Sequence, residues 1–176
     1  MKKIVFALAT VALLISCKND KKEKLDTTTS NHATNNTSAA AQEWLTKSIE
    51  DYFGTETDFE KGMQNMTTPK YFEYKMDMMN VGLGINGALN EDEFKKKWKN
   101  DFDLDKIELN SGFLIGAQDW GKIKVTKSEL VGQTEESYTF KVIISDTEFD
   151  TQYPAIVKVV NDGTGFKIAD VQEDLQ

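Results

Sequence analysis

The chain has 176 residues, a net charge of −8 and no arginine, with a single cysteine, Cys17, and a single histidine, His32. Both residues lie before the region that can fold, so a Ser-His-Asp triad, a Cys-His pair and the usual zinc sites are excluded. From Gln42 onward, 15 lysines face 26 acidic residues, a net charge of −11. This balance disfavours nucleic acid as a partner and favours cations, neutral ligands or a basic protein surface.

The N-terminal residues have the pattern of a secretory signal. Lys2 and Lys3 precede an apolar run over residues 4–15, which is shorter than the roughly 20 residues of a transmembrane helix. The quartet Leu14-Ile15-Ser16-Cys17 resembles the bacterial lipoprotein box, which implies a signal peptide over residues 1–16 and acylation of Cys17, for example with palmitate. The alternative is an ordinary signal followed by a buried structural cysteine. Lys18 stands where an inner-membrane retention signal has Asp, which favours the outer membrane of a Gram-negative cell envelope.

Residues 17–41 are predicted to form a disordered tether. The segment is rich in Lys, Asp, Thr, Asn, Ser and Ala, and Leu25 is its only large aliphatic residue. Such a composition buries too little apolar surface to offset the entropy of ordering. The sequence therefore predicts a lipidated tether and, over residues 42–176, a single folded domain.

Three helices are predicted in the first half of the domain. The first carries Leu45, Ile49, Tyr52 and Phe53 on one face and is capped by Ser38. The second opens at Thr68-Pro69, with a hydroxyl cap and a proline in the first turn, and ends before Gly82. Its predicted core-facing stripe consists of Phe72, Met76 and Met79.

The third helix is predicted to open at Asn90, with Glu93 completing a capping box and Phe94 and Trp98 buried. From about Ile107 the apolar period changes from 3.6 to 2, and strands are expected around residues 123–125, 138–144, 153–161 and 166–171. Helices followed by an antiparallel meander predict an α+β fold, with the helices on one face of a curved sheet of four to five strands.

The second half also resembles a family of secreted bacterial domains of unknown function. The resemblance rests on residues 113–120, 122–127, 157–160 and 165–171, its sharpest element is Gln118-Asp119-Trp120, and it covers residues 66–172. Phe166 is a departure, since Trp is commoner there. The family implies the cystatin-like cone of the nuclear transport factor 2-like superfold, which hosts isomerases, dehydratases, ligand binders and interaction modules, so fold alone does not define function.

Two motifs resemble ligand sites without having the required context. The Gly82–Gly87 loop has the letters of a dinucleotide fingerprint, but it follows a helix rather than a strand, so a flexible loop, or a lid over the mouth of a cone, is the better interpretation. Asp101, Asp103 and Asp105 alternate as in a calcium loop, but Lys106 occupies the position that requires glycine. An acidic, solvated connection is expected there, with a weak cation site as the alternative.

The favoured function is a lipid-anchored binding or interaction module with no catalytic activity, cofactor or metal. Tyr74 and Met78 lie off the predicted apolar stripe and are candidates for an exposed ligand or partner surface. Gln118, Asp119 and Trp120 form a predicted structural corner, with the indole buried against the sheet and the carboxylate bonded to backbone amides. The alternative is a pocket enzyme of the isomerase or dehydratase type, in which Asp119 acts with a tyrosine, Tyr138 or Tyr74.

Overall fold

The computed structural model describes residues 27–173, with side chains from residue 37 onward. The predicted signal peptide, Cys17 and the first part of the predicted tether lie outside the described residues. The elements in chain order are α1 (Thr27–Gly54), α2 (Phe59–Met66), α3 (Pro69–Asn80), α4 (Glu91–Trp98), β1 (Ile123–Gln133), β2 (Ser137–Asp146), β3 (Thr151–Asn161) and β4 (Phe166–Glu173).

The α+β class is confirmed, with four described helices where three were expected. The additional helix is α2, whose N-cap Asp58 accepts a hydrogen bond from the Lys61 amide. The predicted caps of the next two helices are both present. Thr68 caps α3 at the Tyr71 amide, and the Asn90 capping box opens α4.

Helix α1 differs from its prediction at the N-terminal end. It begins at Thr27, so residues 27–41 are helical where the sequence favoured a disordered tether, and Ser38 is buried within the helix instead of capping it. The predicted apolar face is confirmed: Leu45 and Ile49 are fully buried. Burial of Ala41 on the same face extends the packed part of α1 beyond the expected boundary.

The four described strands form one antiparallel sheet in the order β1-β2-β3-β4. Alternation along β2 turns one set of side chains into the core, where they meet the buried face of α1. The fully buried members of this core include Phe140, Val142, Ile144, Val157, Val159 and Ile168. The change of apolar period was placed at about Ile107, but residues 99–122 are irregular, and the first strand begins at Ile123, as expected.

Side chains and backbone from the helices cover both outer strands. On β1, the Gln42 amide group donates to the Ser128 carbonyl at 2.6 Å, and the Val125 amide donates to Glu50 at 3.1 Å. On β4, the Thr68 amide donates to the Ile168 carbonyl at 2.8 Å. Covering these edges removes sites at which another chain could add a strand. It also places α1 and α2 on either side of the β3–β4 hairpin.

Within residues 27–173, no helix combines the length and the apolar character needed to cross a membrane.

Candidate functional site

Tyr74 and Met78 do not form an exposed surface, and this prediction is corrected. Each is only 4% exposed, and the Tyr74 ring stacks on Phe102 with centroids 4.0 Å apart. Helix α3 packs against both α4 and β4. Its core-facing stripe therefore includes Tyr71, Tyr74 and Met78, while the residues predicted to line it are half-buried.

The corner formed by Gln118, Asp119 and Trp120 also differs from its prediction. Gln118 and Asp119 are exposed, and Trp120 is half-buried. The indole packs edge-on against Phe53 and Phe59, at the end of α1 and the start of α2, instead of lying buried against the sheet.

The backbone-capping role expected of Asp119 belongs to Asp146. Its buried carboxylate accepts from the amides of Gly121 at 2.6 Å, Glu148 at 2.9 Å and Phe149 at 3.1 Å. Burial alone would raise the pKa of Asp146, but these three hydrogen bonds outweigh it and the pKa is lowered.

The predicted alternative partners of Asp119 lie elsewhere. Asp119 precedes β1, at the end of the sheet where Asp146 closes β2. Tyr138 lies near the start of β2, at the opposite end of the sheet, and at 3.3 Å per residue it is about 26 Å from Asp146. Tyr74 lies in the ring cluster between α3 and α4. The placement of Asp119 therefore lends no support to an isomerase-like site.

A closed polar crevice lies between α3, the end of β4 and the loop over residues 103–111. Lys75 is buried in it, with its Nζ 3.5 Å from the Ser111 hydroxyl and 3.8 Å from a Glu173 carboxylate oxygen. Ser111 in turn donates to Glu173 at 2.9 Å. Tyr71, which is fully buried, and Asp170 also line the crevice. We refer to these five residues as the lysine crevice.

Burial dominates the ionisation of the lysine crevice. It lowers the pKa of Lys75 to about 8, against the opposing effects of the Glu173 and Glu108 charges. It raises the pKa of Asp170 and takes the pKa of Tyr71 well above its usual value. Shifted groups in a cleft are the ordinary signature of an active site. The crevice volume, however, is about 20 Å³, which accommodates about one water molecule and no substrate.

A larger groove of about 540 Å³ opens between α1, α2 and the β3–β4 hairpin. Three of its lining residues are aromatic: Trp44 and Phe166 face it with ring centroids 6.0 Å apart, and Tyr52 contributes a third ring. Its polar residues include Asp51 and Glu56. We call this the aromatic groove.

The floor of the aromatic groove depends on Gly62. A Cβ at this position would come within 2.7 Å of Glu56 Cγ and 3.1 Å of the Tyr52 ring, so any larger residue would displace them. Glu56 is held in place because its Oε1 accepts from the amides of Thr57 and Asp58 at 3.0 Å each. Burial, with a smaller effect from the Glu56 charge, raises the pKa of Tyr52 to about 12.

A second depression of about 550 Å³ continues along the outer surface of α1 and shares Asp51 with the aromatic groove. Its charged lining residues are Glu43, Lys47, Glu50 and Asp51. Sequence reasoning did not find these two depressions. The available signal was the spacing of Trp44, Ser48, Asp51 and Thr55, which places a mixed aromatic and polar stripe beside the apolar face of α1.

In the acidic connection after α4, the carboxylates of Asp101 and Asp103 are engaged by neighbouring groups. Asp101 forms an ion pair with Lys70, and Asp103 accepts from the Asp105 amide at 3.0 Å. Among the described residues, no three His, Cys, Asp or Glu side chains are grouped so that they could hold a metal ion.

The Gly82–Gly87 loop joins α3 to α4 and has three glycines at positive φ. It exposes Leu83 and Ile85, each more than half accessible. A strand does not precede it, and α4 opens only after Asn90. The dinucleotide fingerprint therefore lacks its structural context.

Comparisons with protein-family models, with curated proteins and with solved structures find no match to this chain.

Proposed function

We propose that the protein is a lipid-anchored binding module of the cell envelope, with a cystatin-like cone as its domain and no catalytic activity of its own. In this proposal an acyl chain on Cys17 holds the domain at the outer membrane, and the aromatic groove takes the ligand or the partner. The single observation that carries the proposal is the contrast in volume: the groove has about 540 Å³ open to solvent, whereas the crevice with the shifted ionisable groups has about 20 Å³.

The chemistry of the groove suits binding better than catalysis. Its rings offer apolar and cation-binding faces, while its carboxylates are exposed or already bonded to backbone amides. Pockets that bind ligands are commonly concave, largely apolar and fitted with few polar groups. The aromatic groove is concave and offers three rings, together with more polar lining residues than such pockets usually have, among them Ser48, Asp51 and Lys167.

Fragment mapping tests the binding site. A library of small neutral, cationic and anionic fragments is added to the ¹⁵N-labelled protein, and the amides that shift are recorded. We expect the shifts to cluster at Trp44, Glu56 and Phe166. Shifts clustered at Lys75 and Asp170 would instead support an enzyme site that opens in solution and would contradict the proposal.

Membrane fractionation tests the anchor. Cys17→Ser should abolish acylation and release the domain from membranes, with its fold retained because Cys17 precedes the predicted domain, residues 42–176, in the sequence. Metabolic palmitate labelling should fail in the same variant. A Cys17→Ser protein that still sediments with membranes after a high-salt wash would refute lipid anchoring.

A further inference from the structure

The aromatic groove and the second depression lie on neighbouring sides of α1 and meet at Asp51, which lines both, so that together they make a surface extending around the helix. Resting on the proposed function, we propose that this surface binds a basic peptide segment of a partner protein, with one lysine or arginine side chain seated in the aromatic groove. The remaining residues of the segment would lie along the acidic outer face of α1.

The groove has the components of a cation site. Trp44 and Phe166 supply ring faces, which attract an ammonium or guanidinium group when it lies within about 6 Å of the ring centre. Glu56 supplies a carboxylate whose Oε1 is fixed by two backbone amides. The Oε2 atom of Glu56 accepts neither of these two backbone hydrogen bonds.

The protein's own cations do not occupy this site firmly. Lys167 lines the groove, but its ammonium group donates to the Asn65 backbone carbonyl. Asp51 pairs with Lys47 at 2.5 Å on the exposed helix surface. Exposed pairs of this kind contribute at most about 1 kcal/mol, so an incoming cation can replace Lys47 at little cost.

The length of the surface favours a peptide over a small amine. Together the two depressions cover α1 from Ala39 to Thr55, a length of about 24 Å at 1.5 Å per residue, on neighbouring sides of the helix. A single amine would occupy only one end of this length. An extended segment of about seven residues spans it, with alternate side chains directed to the same side.

Charge complementarity points to a basic segment. The domain carries a net charge of −11 from Gln42 onward, and α1 contributes Glu43 and Asp51 to the surface, whereas Glu50 is already paired with Lys124 at 2.5 Å. Such a field speeds the encounter with a basic partner and discriminates against an acidic one.

Calorimetric titration of the full chain in detergent solution tests the proposal with a defined probe, a seven-residue peptide of alternating lysine and alanine. We expect binding that weakens with added salt, and none to the same peptide with glutamine in place of lysine. Glu56→Gln and Trp44→Leu should each raise Kd by about threefold to tenfold.

Glu60→Gln is the matched control, because it removes the same charge from an exposed site of α2 outside the groove; it should change Kd less than twofold. Equal losses in Glu56→Gln and Glu60→Gln would overturn the proposal in favour of unspecific attraction. Equally tight binding of the glutamine peptide, or of lysine amide alone, would also overturn it.

The outcomes separate this inference from the function on which it rests. If neutral fragments bind in the groove and the lysine peptide does not bind, the basic segment is refuted and the binding module stands. If neither binds there, both proposals fail.

Discussion

The aromatic groove and the lysine crevice contain similar chemical groups in opposite settings. In the crevice, Lys75 is 3% exposed and its charge partners lie within the protein. In the groove, Asp51 and Glu56 remain in contact with solvent beside half-buried rings. The pKa shifts are larger in the crevice, whereas the volume that could accommodate a ligand is in the groove. The shifted pKa values in the crevice therefore result from burial of ionisable groups, and the open volume of the groove indicates where another molecule can bind.

The largest expected effect tests the packing around the crevice. Tyr74→Ala should reduce the free energy of unfolding by about 3–5 kcal/mol, because it removes a buried ring from a cluster with Phe94, Trp98 and Phe102. Urea unfolding measures the loss. Phe149→Ala is the control, since that ring is 62% exposed and its removal should cost less than about 0.5 kcal/mol. A Tyr74→Ala protein as stable as the control would restore the exposed surface predicted from the sequence.

The second prediction concerns the charge of Lys75. Its pKa of about 8 in the folded protein lies below the ordinary 10.5, so between these values the unfolded chain binds more protons and stability rises with pH. Over the whole interval between these two pKa values, the free energy of unfolding should rise by about 3 kcal/mol.

Unfolding free energies measured from pH 7 to 9 should show the first part of this rise. In Lys75→Met the rise should be absent, with stability at pH 7 equal to the wild type or up to about 3 kcal/mol higher, because the lowered pKa means that the charge of Lys75 destabilises the folded state at that pH. A destabilised variant with an unchanged pH profile would show that Lys75 is not the titrating group.

The third prediction concerns Trp120, which lies at neither site. Trp120→Ala should cost about 2 kcal/mol, less than a fully buried tryptophan, because the half-buried indole has edge contacts with Phe53 and Phe59. Chemical unfolding followed by the remaining tryptophans gives the value. A loss above about 4 kcal/mol would indicate the buried architectural role that the sequence suggested.

The smallest expected effect belongs to the groove. Glu56→Gln keeps the shape of the side chain and the hydrogen bonds to the following amides, so its unfolding free energy should stay within about 0.5 kcal/mol of the wild type. Thermal unfolding at two salt concentrations measures it. A substantial loss would show that the carboxylate is needed for folding and would weaken its assignment to ligand binding.

The sequence predicted the features that depend on neighbouring residues. The hydroxyl cap at Thr68, the capping box from Asn90 to Glu93 and the buried face of α1 all follow from local spacing, and all are present. The fold class followed from the change of apolar period. Helix α2 was missed although it is as long as α4, because it lacks the capping box that marked the start of α4 and has Gly62 in its interior.

The sequence did not predict the features that depend on distant contacts. The sequence led us to expect that Asp119 would accept backbone hydrogen bonds at the corner before β1. In the structure the Gly121 amide instead donates to Asp146, which lies at the end of β2. Lys75 is buried because α3 meets the end of β4 at Glu173, which nothing in its neighbours signals. The aromatic groove forms because Phe166 packs beside Trp44, which is far from it in the sequence.

The central claim, that the groove binds while the crevice is structural, is tested most directly by fluorine NMR. Labelling with 5-fluorotryptophan places one probe in the groove at Trp44, one beside the ring cluster of the crevice at Trp98, and one at Trp120. On titration with the lysine–alanine peptide, the Trp44 resonance should move in a saturable way while the Trp98 resonance stays fixed. A Trp98 resonance that moves while Trp44 does not would contradict the account.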